Sequence, residues 1–546
     1  MVSGRWSVAI DVSGQWSVVS GQSQLTTDNG QQTTVNDGQR TTDNRQPTTD
    51  NGQQTMDNGQ RTTPTPWTIA EILAATGGEL LFELAADFRF QLSTFKFSGI
   101  SINSRKIFSD EVFVAIRGDV HDGHNFTEDV LEQGIRGLII SRDRIGDLPM
   151  GKWQDKGIVC VAVDNTTRSL GHLAAFNRKR SNVSVAAITG SNGKTTTKEM
   201  VAETVSRRFC TLSSRGSFNN EIGLPLTLLG LGDSHEWAVV ELGMNNPGEI
   251  GKLSEICLPD VGVITNIGPA HIGRLGSMEA IMNAKGELLE KIRPGGTAVL
   301  NADDPRVAAL GDQCAGFGVR TLFYSASQDL KTESPVRALS VKADGIGTFF
   351  TLALPAESVP IHLRIPGRFM VSNALAAASV GYVLGLSAQE IKAGIEAFRP
   401  VRGRMDIFKT GSGVHIIDDT YNANPESMTA AIMTLRSLKG RHRGILVAGD
   451  MLELGEYAGT MHKKIGSVAA GSDVALLYAA GEFAETVAEG ARNEGMDSRH
   501  IFTGSKSEII EDLTTAIRPG DWVLVKGSRG MHMEEIVRGV REFFKV

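Results

Sequence analysis

Apolar residues adopt the spacings of regular secondary structure only from Trp67 onward. Ile69, Ile72 and Leu73 fall at the helical period, and apolar stretches of strand length surround Ile100 and fill 112–116 and 138–140, which predicts a small α/β domain ending near Val163. A second unit opens with a helix through Leu170 and Leu173 and continues into the unbroken apolar run 183–188. Such a run suits a strand covered on both faces, as in a parallel sheet. Further runs at 237–240, 261–264 and 297–300 are separated by helical segments, and that alternation predicts a doubly wound parallel sheet. A Pro and Gly cluster at 399–403 marks the next boundary. Beyond it, runs at 414–417, 445–448, 474–478 and 522–525 alternate with helices as in a second, Rossmann-like parallel domain.

The segment upstream has a different texture. Ser3-Gly4-Arg5-Trp6-Ser7-Val8 returns as Ser13-Gly14-Gln15-Trp16-Ser17-Val18, and Thr26-Thr27-Asp28-Asn29-Gly30-Gln31 recurs with variations. Polar tracts of this kind bury too little apolar surface to offset the entropy of ordering, and the repeat is too short for a solenoid unit. Residues 1–64 are therefore expected to be a disordered, low-complexity extension irrelevant to catalysis. The chain then reads as three α/β domains at 65–164, 165–400 and 401–546, in keeping with a length of 546 residues, more than one core supports.

Composition narrows the class. A formal charge of -7 over this length argues against a broad basic surface for nucleic acid. Cys160, Cys210, Cys257 and Cys314 are scattered without a CxxC pair, which points away from a disulfide framework or zinc ribbon and toward a reducing compartment. Neither a membrane span nor a secretory signal is legible, so the cytoplasm is the expected location.

Directly after the run 183–188 comes Thr189-Gly190-Ser191-Asn192-Gly193-Lys194-Thr195-Thr196-Thr197, followed by a helix with Met200, Val201, Thr204 and Val205 on one face. Strand, glycine loop and helix stand in the order that a phosphate-binding loop requires. Glycines let backbone N–H groups close around phosphate oxygens, Lys194 would reach the β- and γ-phosphates of ATP, and the Thr195 hydroxyl could ligate Mg2+. Ile188 occupies the place of the first glycine in GxxxxGK[ST], leaving the shorter TGxNGKT form. Glu241 ends the run at 237–240, and His271 follows the run at 261–264, both where ligands gather in open parallel sheets. On residue type alone, His271 reads equally as a helix cap, Lys285 as a solvated lysine and Glu241 as a buried structural acid. An NTP-driven switch protein stays open as an alternative at this level.

The loop 188–200 resembles that of the Mur ligases, and the likeness runs from about Trp67 to the C-terminus. It is carried by Phe218-Asn219-Asn220-Glu221-Ile222-Gly223-Leu224-Pro225, Glu241-Leu242-Gly243-Met244-Asn245, Asn266-Ile267-Gly268-Pro269-Ala270-His271 and Ala284-Lys285-Gly286-Glu287, in that order. Asp418-Asp419-Thr420-Tyr421-Asn422-Ala423-Asn424-Pro425, Gly449-Asp450-Met451-Leu452-Glu453-Leu454-Gly455 and Val525-Lys526-Gly527-Ser528-Arg529 resemble the members that join a UDP-N-acetylmuramoyl-tripeptide to D-alanyl-D-alanine. The Asp-Asn-Pro-Arg motif of the diaminopimelate- or lysine-adding relatives is absent. A folylpolyglutamate-synthase-like ligase would share the loop but not the segments 418–425 and 449–455.

The resemblance implies an ATP- and Mg2+-dependent, monomeric ligase working through an acyl phosphate. It implies nucleotide contacts from Gly190, Ser191, Asn192, Gly193, Lys194, Thr195, Thr196, Asn373, Arg404 and Asp419. It also implies metal contacts from Thr195, Glu241 and His271 together with a carbamate on Lys285, and catalytic roles for Lys194, His271, Lys285 and Arg404. Ser104 and Arg105, with the loop 117–123, would hold the UDP end; Asn219 and Asn220 the peptide; and Asn424, Ser528 and Arg529 the dipeptide. Phe369-Met370 stands where many relatives carry His-Asn, so core packing rather than an adenine contact is expected there.

Overall fold

The computed structural model describes residues 64–82, 96–118, 120–327 and 334–544, with strand pieces at Ser7–Ile10, Trp16–Val19, Thr55–Asp57 and Gln60–Thr62. The disorder expected for 1–64 lies mostly outside the described residues. Within that span, Ser7–Ile10 and Trp16–Val19, which overlap the two copies of the Trp-Ser-Val repeat, pair as antiparallel strands. The chain divides into two units near Thr167 and Arg168.

In the first unit, helix α1 (Ile69–Thr76) starts on a capping box, Thr68 Oγ1 accepting from the Glu71 N–H at 3.2 Å and Glu71 Oε2 from the Thr68 N–H at 2.8 Å. Strands β1 (Glu79–Leu80), β2 (Gly99–Ser101), β3 (Glu111–Val114), β4 (Gly137–Ser141) and β5 (Val159–Val163) form a sheet in the order β1-β5-β4-β3-β2. Only β1 is antiparallel. Phe113, Leu138, Ile140, Trp153 and Cys160 fill one core against it.

The second unit begins with helix α2 (Thr166–Arg180) and contains two sheets. The first runs through β6 (Ser184–Thr189), β7 (Thr211–Ser213), β8 (Trp237–Glu241), β9 (Val261–Ile264), β10 (Thr297–Asn301), β11 (Arg320–Ser325), β12 (Val336–Asp344), β13 (Gly347–Ala353) and β14 (Ser358–Leu363). Its spatial order is β7-β8-β6-β9-β10-β11-β12-β13-β14, parallel as far as β12. The doubly wound parallel sheet expected from the runs between 183 and 300 is present and is extended at one edge by antiparallel strands. Strands β12, β13 and β14 pair antiparallel, and β14 alternates exposed and buried residues along a sheet with one solvated face. Strand β6 lies between β8 and β9; the chain leaves β6 toward β7 on one side and β9 toward β10 on the other, a switch point at whose C-terminal strand ends such sheets form a crevice.

Helix α3 (Lys194–Val205) follows β6, and α9 (Arg368–Val383) and α10 (Ala388–Ala397) pack on it. The approach is close: a Cβ on Gly394 would lie 2.4 Å from Thr204 Cα. Between them in the chain lie α4 (Gly223–Leu229), α5 (Glu249–Cys257), α6 (Ile272–Leu275), α7 (Met278–Glu290) and α8 (Pro305–Cys314).

The C-terminal sheet comprises β15 (Asp406–Lys409), β16 (His415–Asp419), β17 (Gly444–Gly449), β18 (Leu476–Ala480), β19 (Ile501–Thr503) and β20 (Trp522–Lys526), ordered β15-β16-β20-β17-β18-β19. All neighbours are parallel except β15 and β16. Helices α11 (Pro425–Lys439), α12 (Ala458–Gly471), α13 (Ala484–Asn493), α14 (Lys506–Ala516) and α15 (Glu534–Phe544) alternate with the strands. Val447, Val525, Ile509 and Ile536 lie in the core on one side of this sheet. Among the described residues no helix is long and apolar enough to cross a membrane.

Candidate active site

The phosphate loop closes tightly because two of its residues are glycines in conformations that other residues resist. Gly190 has φ 147°, and a Cβ there would fall 1.9 Å from Thr265 Oγ1; Gly193 has φ 79° and would drive a Cβ to 2.5 Å from Asn373 Oδ1. Neighbouring loops fix the backbone between them. Ser191 Oγ donates to the Gly268 carbonyl and accepts from its N–H, both at 2.9 Å. The Asn192 N–H donates to Asn266 Oδ1 at 2.8 Å, and its carbonyl accepts from Thr265 Oγ1 at 2.6 Å and Asn266 Nδ2 at 3.0 Å. Gly193 caps α3, so Lys194, Thr195 and Thr196 form a first turn whose N–H groups favour an anion.

Lys194 Nζ donates to the Gly190 carbonyl at 2.8 Å and curls over the loop. Burial lowers its pKa below the ordinary lysine value; Glu241 opposes that shift and Arg404 adds to it. Strand register sets Glu241 beside Ile188, immediately before the loop. Its Oε2 accepts from Thr195 Oγ1 and its Oε1 from Asn219 Nδ2, both at 2.7 Å. Lys285 on α7 is 2% exposed, and burial with Lys194 nearby pushes its pKa well below the ordinary value. Among the described residues no three His, Cys, Asp or Glu side chains converge as a metal cage. The Thr195 hydroxyl and Glu241 carboxylate nevertheless fit Mg2+, which takes one or two protein oxygens and completes its shell with phosphate and water.

Residues of the C-terminal sheet complete this crevice. Gly403 (φ 73°) and Met405 (φ 53°) bracket Arg404, whose guanidinium lies 4.1 Å from the centre of the Tyr421 ring. Among the described residues Arg404 has no ion-pair partner, and its Nε is buried without a hydrogen bond. Asp419 stabilises this turn, its Oδ1 accepting from the Met405 N–H at 3.1 Å and its Oδ2 pairing with buried Lys526 at 2.6 Å. Asn424 Nδ2 donates to Asn192 Oδ1 at 2.7 Å, and Asn192 Nδ2 to Glu426 Oε2 at 3.3 Å. His271, at φ 61°, sets Nδ1 2.5 Å from Glu453 Oε2. The close approach of His271, with Arg274 assisting, holds the Glu453 carboxyl below its ordinary pKa against burial.

In the first unit, Ser104 and Arg105 lie in the loop after β2, where the Ser104 carbonyl accepts from Gln133 Nε2 at 2.9 Å and the Arg105 N–H donates to Asn103 Oδ1 at 3.1 Å. The loop 117–123 follows the neighbouring strand β3. Buried His124 anchors it through Nδ1, 2.5 Å from Asp122, and through Nε2, which accepts from the Ser141 N–H at 2.9 Å.

The other residues expected at the site have the following partners. Both Asp419 oxygens have partners inside the C-terminal domain, Met405 N–H and Lys526, and the first of these braces the Arg404 turn. Asn220 Oδ1 accepts from the Gly223 N–H at 2.9 Å and caps α4. Asn424 Oδ1 caps α11 while its amide lies on the phosphate loop. Ser528 is 3% exposed and ties two loops together, donating to the Ala423 carbonyl at 3.2 Å and accepting from the Leu452 N–H at 2.8 Å. Arg529 pairs with Glu534 at 3.0 Å. Met370 is core, as expected, while Asn373 packs on Gly193. Tyr421, Glu426 and Glu453 join the site although none was foreseen in it. Tyr421 and Glu453 sit inside the quoted motifs and Glu426 directly follows one, but their cross-domain partners, Ser217, His271 and Asn192, are more than a hundred residues away in the chain.

Comparison with known proteins agrees with this architecture. The family model of the Mur ligase middle domain matches residues 188–381, that of the Mur ligase glutamate ligase domain 403–529, and that of the Mur ligase family catalytic domain 96–202. A UDP-N-acetylmuramoyl-tripeptide--D-alanyl-D-alanine ligase of Bacillus subtilis is 34% identical over 446 residues, covering 81% of this chain and 93% of the relative. A crystal structure of MurF from Acinetobacter baumannii superposes with a TM-score of 0.77 at 31% identity, covering 88% of this chain and 100% of that one. A MurF ligase of Thermotoga maritima in complex with ADP gives 0.71 at 26% identity, covering 82% and 98%. The chain belongs to the Mur ligase family and is of the MurF type.

Proposed function

We propose that the protein joins the terminal carboxylate of a UDP-N-acetylmuramoyl-tripeptide to the amine of D-alanyl-D-alanine at the expense of ATP, in the cytoplasm and as a monomer. The observation that carries this reading is that Lys194 and Arg404, two cations from different domains, belong to segments joined by the Asn424–Asn192 hydrogen bond at 2.7 Å, with Arg404 lacking an ion-pair partner among the described residues. Such a pair suits a polyanion whose outermost phosphate gathers charge during transfer.

Lys194 and the N–H groups of α3 would hold the β- and γ-phosphates, and Arg404 would face the γ-phosphate. A carboxylate oxygen of the peptide then bonds to the γ-phosphorus as the bond to the β-phosphate oxygen breaks and ADP leaves. The amine nitrogen of the dipeptide attacks the acyl carbon, the C–N bond forms, inorganic phosphate departs and the amine gives up a proton. Apposition of domains brings acid and amine together and excludes water. Thr195 and Glu241 would hold one Mg2+, and His271 with a carbamate on Lys285 a second; the metal neutralises phosphoryl charge. Carbamate formation joins the Lys285 amine nitrogen to carbon dioxide and releases one proton; rescue of Lys285→Ala by a small carboxylate tests it.

The segment 65–164 is assigned to the UDP end through Ser104, Arg105 and the loop 117–123, 165–400 to ATP, and 401–546 to the amine. Asn219 would serve the peptide. Residues 1–64 are assigned no catalytic part. Phosphate release by the purified chain, with candidate UDP-muramoyl peptides and with or without D-alanyl-D-alanine, tests the reading. Release that needs both partners supports it; release indifferent to the amine refutes it.

A further inference from the structure

Tyr421 occupies a position that the proposed chemistry does not use directly. Its backbone N–H donates to the Gly403 carbonyl at 3.0 Å, tying the Arg404 turn to the end of β16. Its ring lies under the Arg404 guanidinium at 4.1 Å. Its hydroxyl donates at 2.5 Å to Ser217 Oγ, on the loop between β7 and α4 of the other domain. Two residues along that loop, Asn219 Nδ2 bonds Glu241, the carboxylate that also holds Thr195. One side chain therefore touches the C-terminal arginine turn at one end and the loop bracing the phosphate-side carboxylate at the other.

We propose that Tyr421 is a positioning residue that aims Arg404 only when the two domains are apposed, its ring fixing the guanidinium plane and its hydroxyl latching the ring to Ser217. This rests on Arg404 acting at the γ-phosphate. A guanidinium on an aromatic face keeps its N–H edge free to point at an anion, whereas a carboxylate partner would consume that edge. The hydroxyl bond can form only across the two domains, so it adds stability to the apposed state alone.

The test compares Tyr421→Phe, Ser217→Ala, their double variant, Tyr421→Leu, Arg404→Ala and Arg404→Ala/Tyr421→Leu in the full chain, by steady-state kinetics and thermal melting. Tyr421→Phe and Ser217→Ala each remove the same hydrogen bond and should lower kcat about five- to tenfold with the ATP KM changed less. The double variant should be no worse than either single one. Tyr421→Leu should lose more, and that additional loss should vanish in the Arg404→Ala background. Wild-type kcat in both Tyr421→Phe and Ser217→Ala overturns the proposal, as does a multiplicative loss in their double variant. If Tyr421→Leu fails to fold, the Phe and Ala pair still decides. Failure of the wild type to consume ATP with both acid and amine overturns the functional reading instead, so the two failures are distinct.

Discussion

Replacing Gly273 by Ala should weaken the apposition of the central and C-terminal domains without weakening either one. Gly273 lies in α6, and its N–H donates to the Glu453 carbonyl at 3.1 Å. An added Cβ would meet Gly455 N at 2.5 Å and the Glu453 carbonyl oxygen at 2.8 Å, both backbone atoms of the other domain. Gly455 is equally intolerant, since its own Cβ would lie 2.9 Å from Gly273 Cα. Restoring ordinary contact needs roughly 1 Å of separation, which stretches the Gly273 bond out of range. The His271–Glu453 pair, with side chains 21% and 34% exposed, lengthens with it.

A hydrogen bond of this kind contributes about 1 kcal/mol, and a partly exposed ion pair about 0–1 kcal/mol more. The apposed state should therefore lose about 1–2 kcal/mol, or about 5- to 30-fold in population. Within α6 itself, Ala is a better helix former than Gly by up to ~1 kcal/mol, so the melting temperature should hold or rise. The assay is kcat/KM for amine-dependent phosphate release, with small-angle scattering for domain separation and Gly459→Ala as a control, since a Cβ there meets nothing within 4 Å. A Gly273→Ala variant with wild-type kcat/KM, or one that melts several degrees lower, would refute the reasoning, the second by showing that the clash is absorbed inside the central domain.

Lys194→Met should lower amine-dependent phosphate release by at least about a thousandfold, the scale of a lost charge-stabilising contact, in the same kinetic assay, while far-ultraviolet circular dichroism stays unchanged. Of the four cysteines only Cys210 is not buried, and burial pushes the Cys160 and Cys257 thiols up to about 12. Titration with a thiol reagent should accordingly give one rapid equivalent in the native protein and four after denaturation. Burial lowers the His462 pKa below its ordinary 6.5, and its Nε2 accepts from the Met451 N–H at 2.8 Å while Nδ1 lies 2.7 Å from the Ala458 carbonyl. The unfolded chain binds the proton first, so stability present above pH 6.5 is lost as pH falls toward the depressed folded value. Melting temperatures from pH 8 to 5 should fall more steeply in the wild type than in His462→Gln.

Strands buried on both faces were legible because they are unbroken apolar runs, as at 183–188 and 261–264. The antiparallel strands β12 to β14 were not, since they alternate apolar and polar residues and could equally be loop edges. The phosphate loop was legible because glycine, lysine and threonine must stand in a fixed order there. Motif order also indicated which residues gather at the crevice, but not what each side chain faces. The bonds by which Ser528 braces two loops and Asn220 caps a helix could not be read from motif order. Direction depends on local hydrogen-bond demand, and the demand at Asn220 is set by the orphan N–H groups of α4. Glu453 and Tyr421 escaped notice because their partners, His271 and Ser217, belong to another domain.

The cross-domain contacts named above join segments at the C-terminal ends of parallel strands. Those from the C-terminal sheet follow β16, with Tyr421, Asn424 and Glu426, and β17, with Glu453 and Gly455. Their partners follow β6, β7 and β9, with Asn192, Ser217, Gly268, His271 and Gly273. Ligand-binding loops gather at these ends in each sheet separately, so setting the ends face to face merges two half-sites into one crevice. An acyl phosphate needs that merger, because an intermediate open to water would be hydrolysed before an amine reached it. Arg404 arrives on the same domain as the proposed amine site, so on this reading phosphoryl transfer waits for the domain that brings the acceptor. Loosening the apposition should then slow ATP consumption and amide formation together, rather than leave ATP hydrolysis running alone.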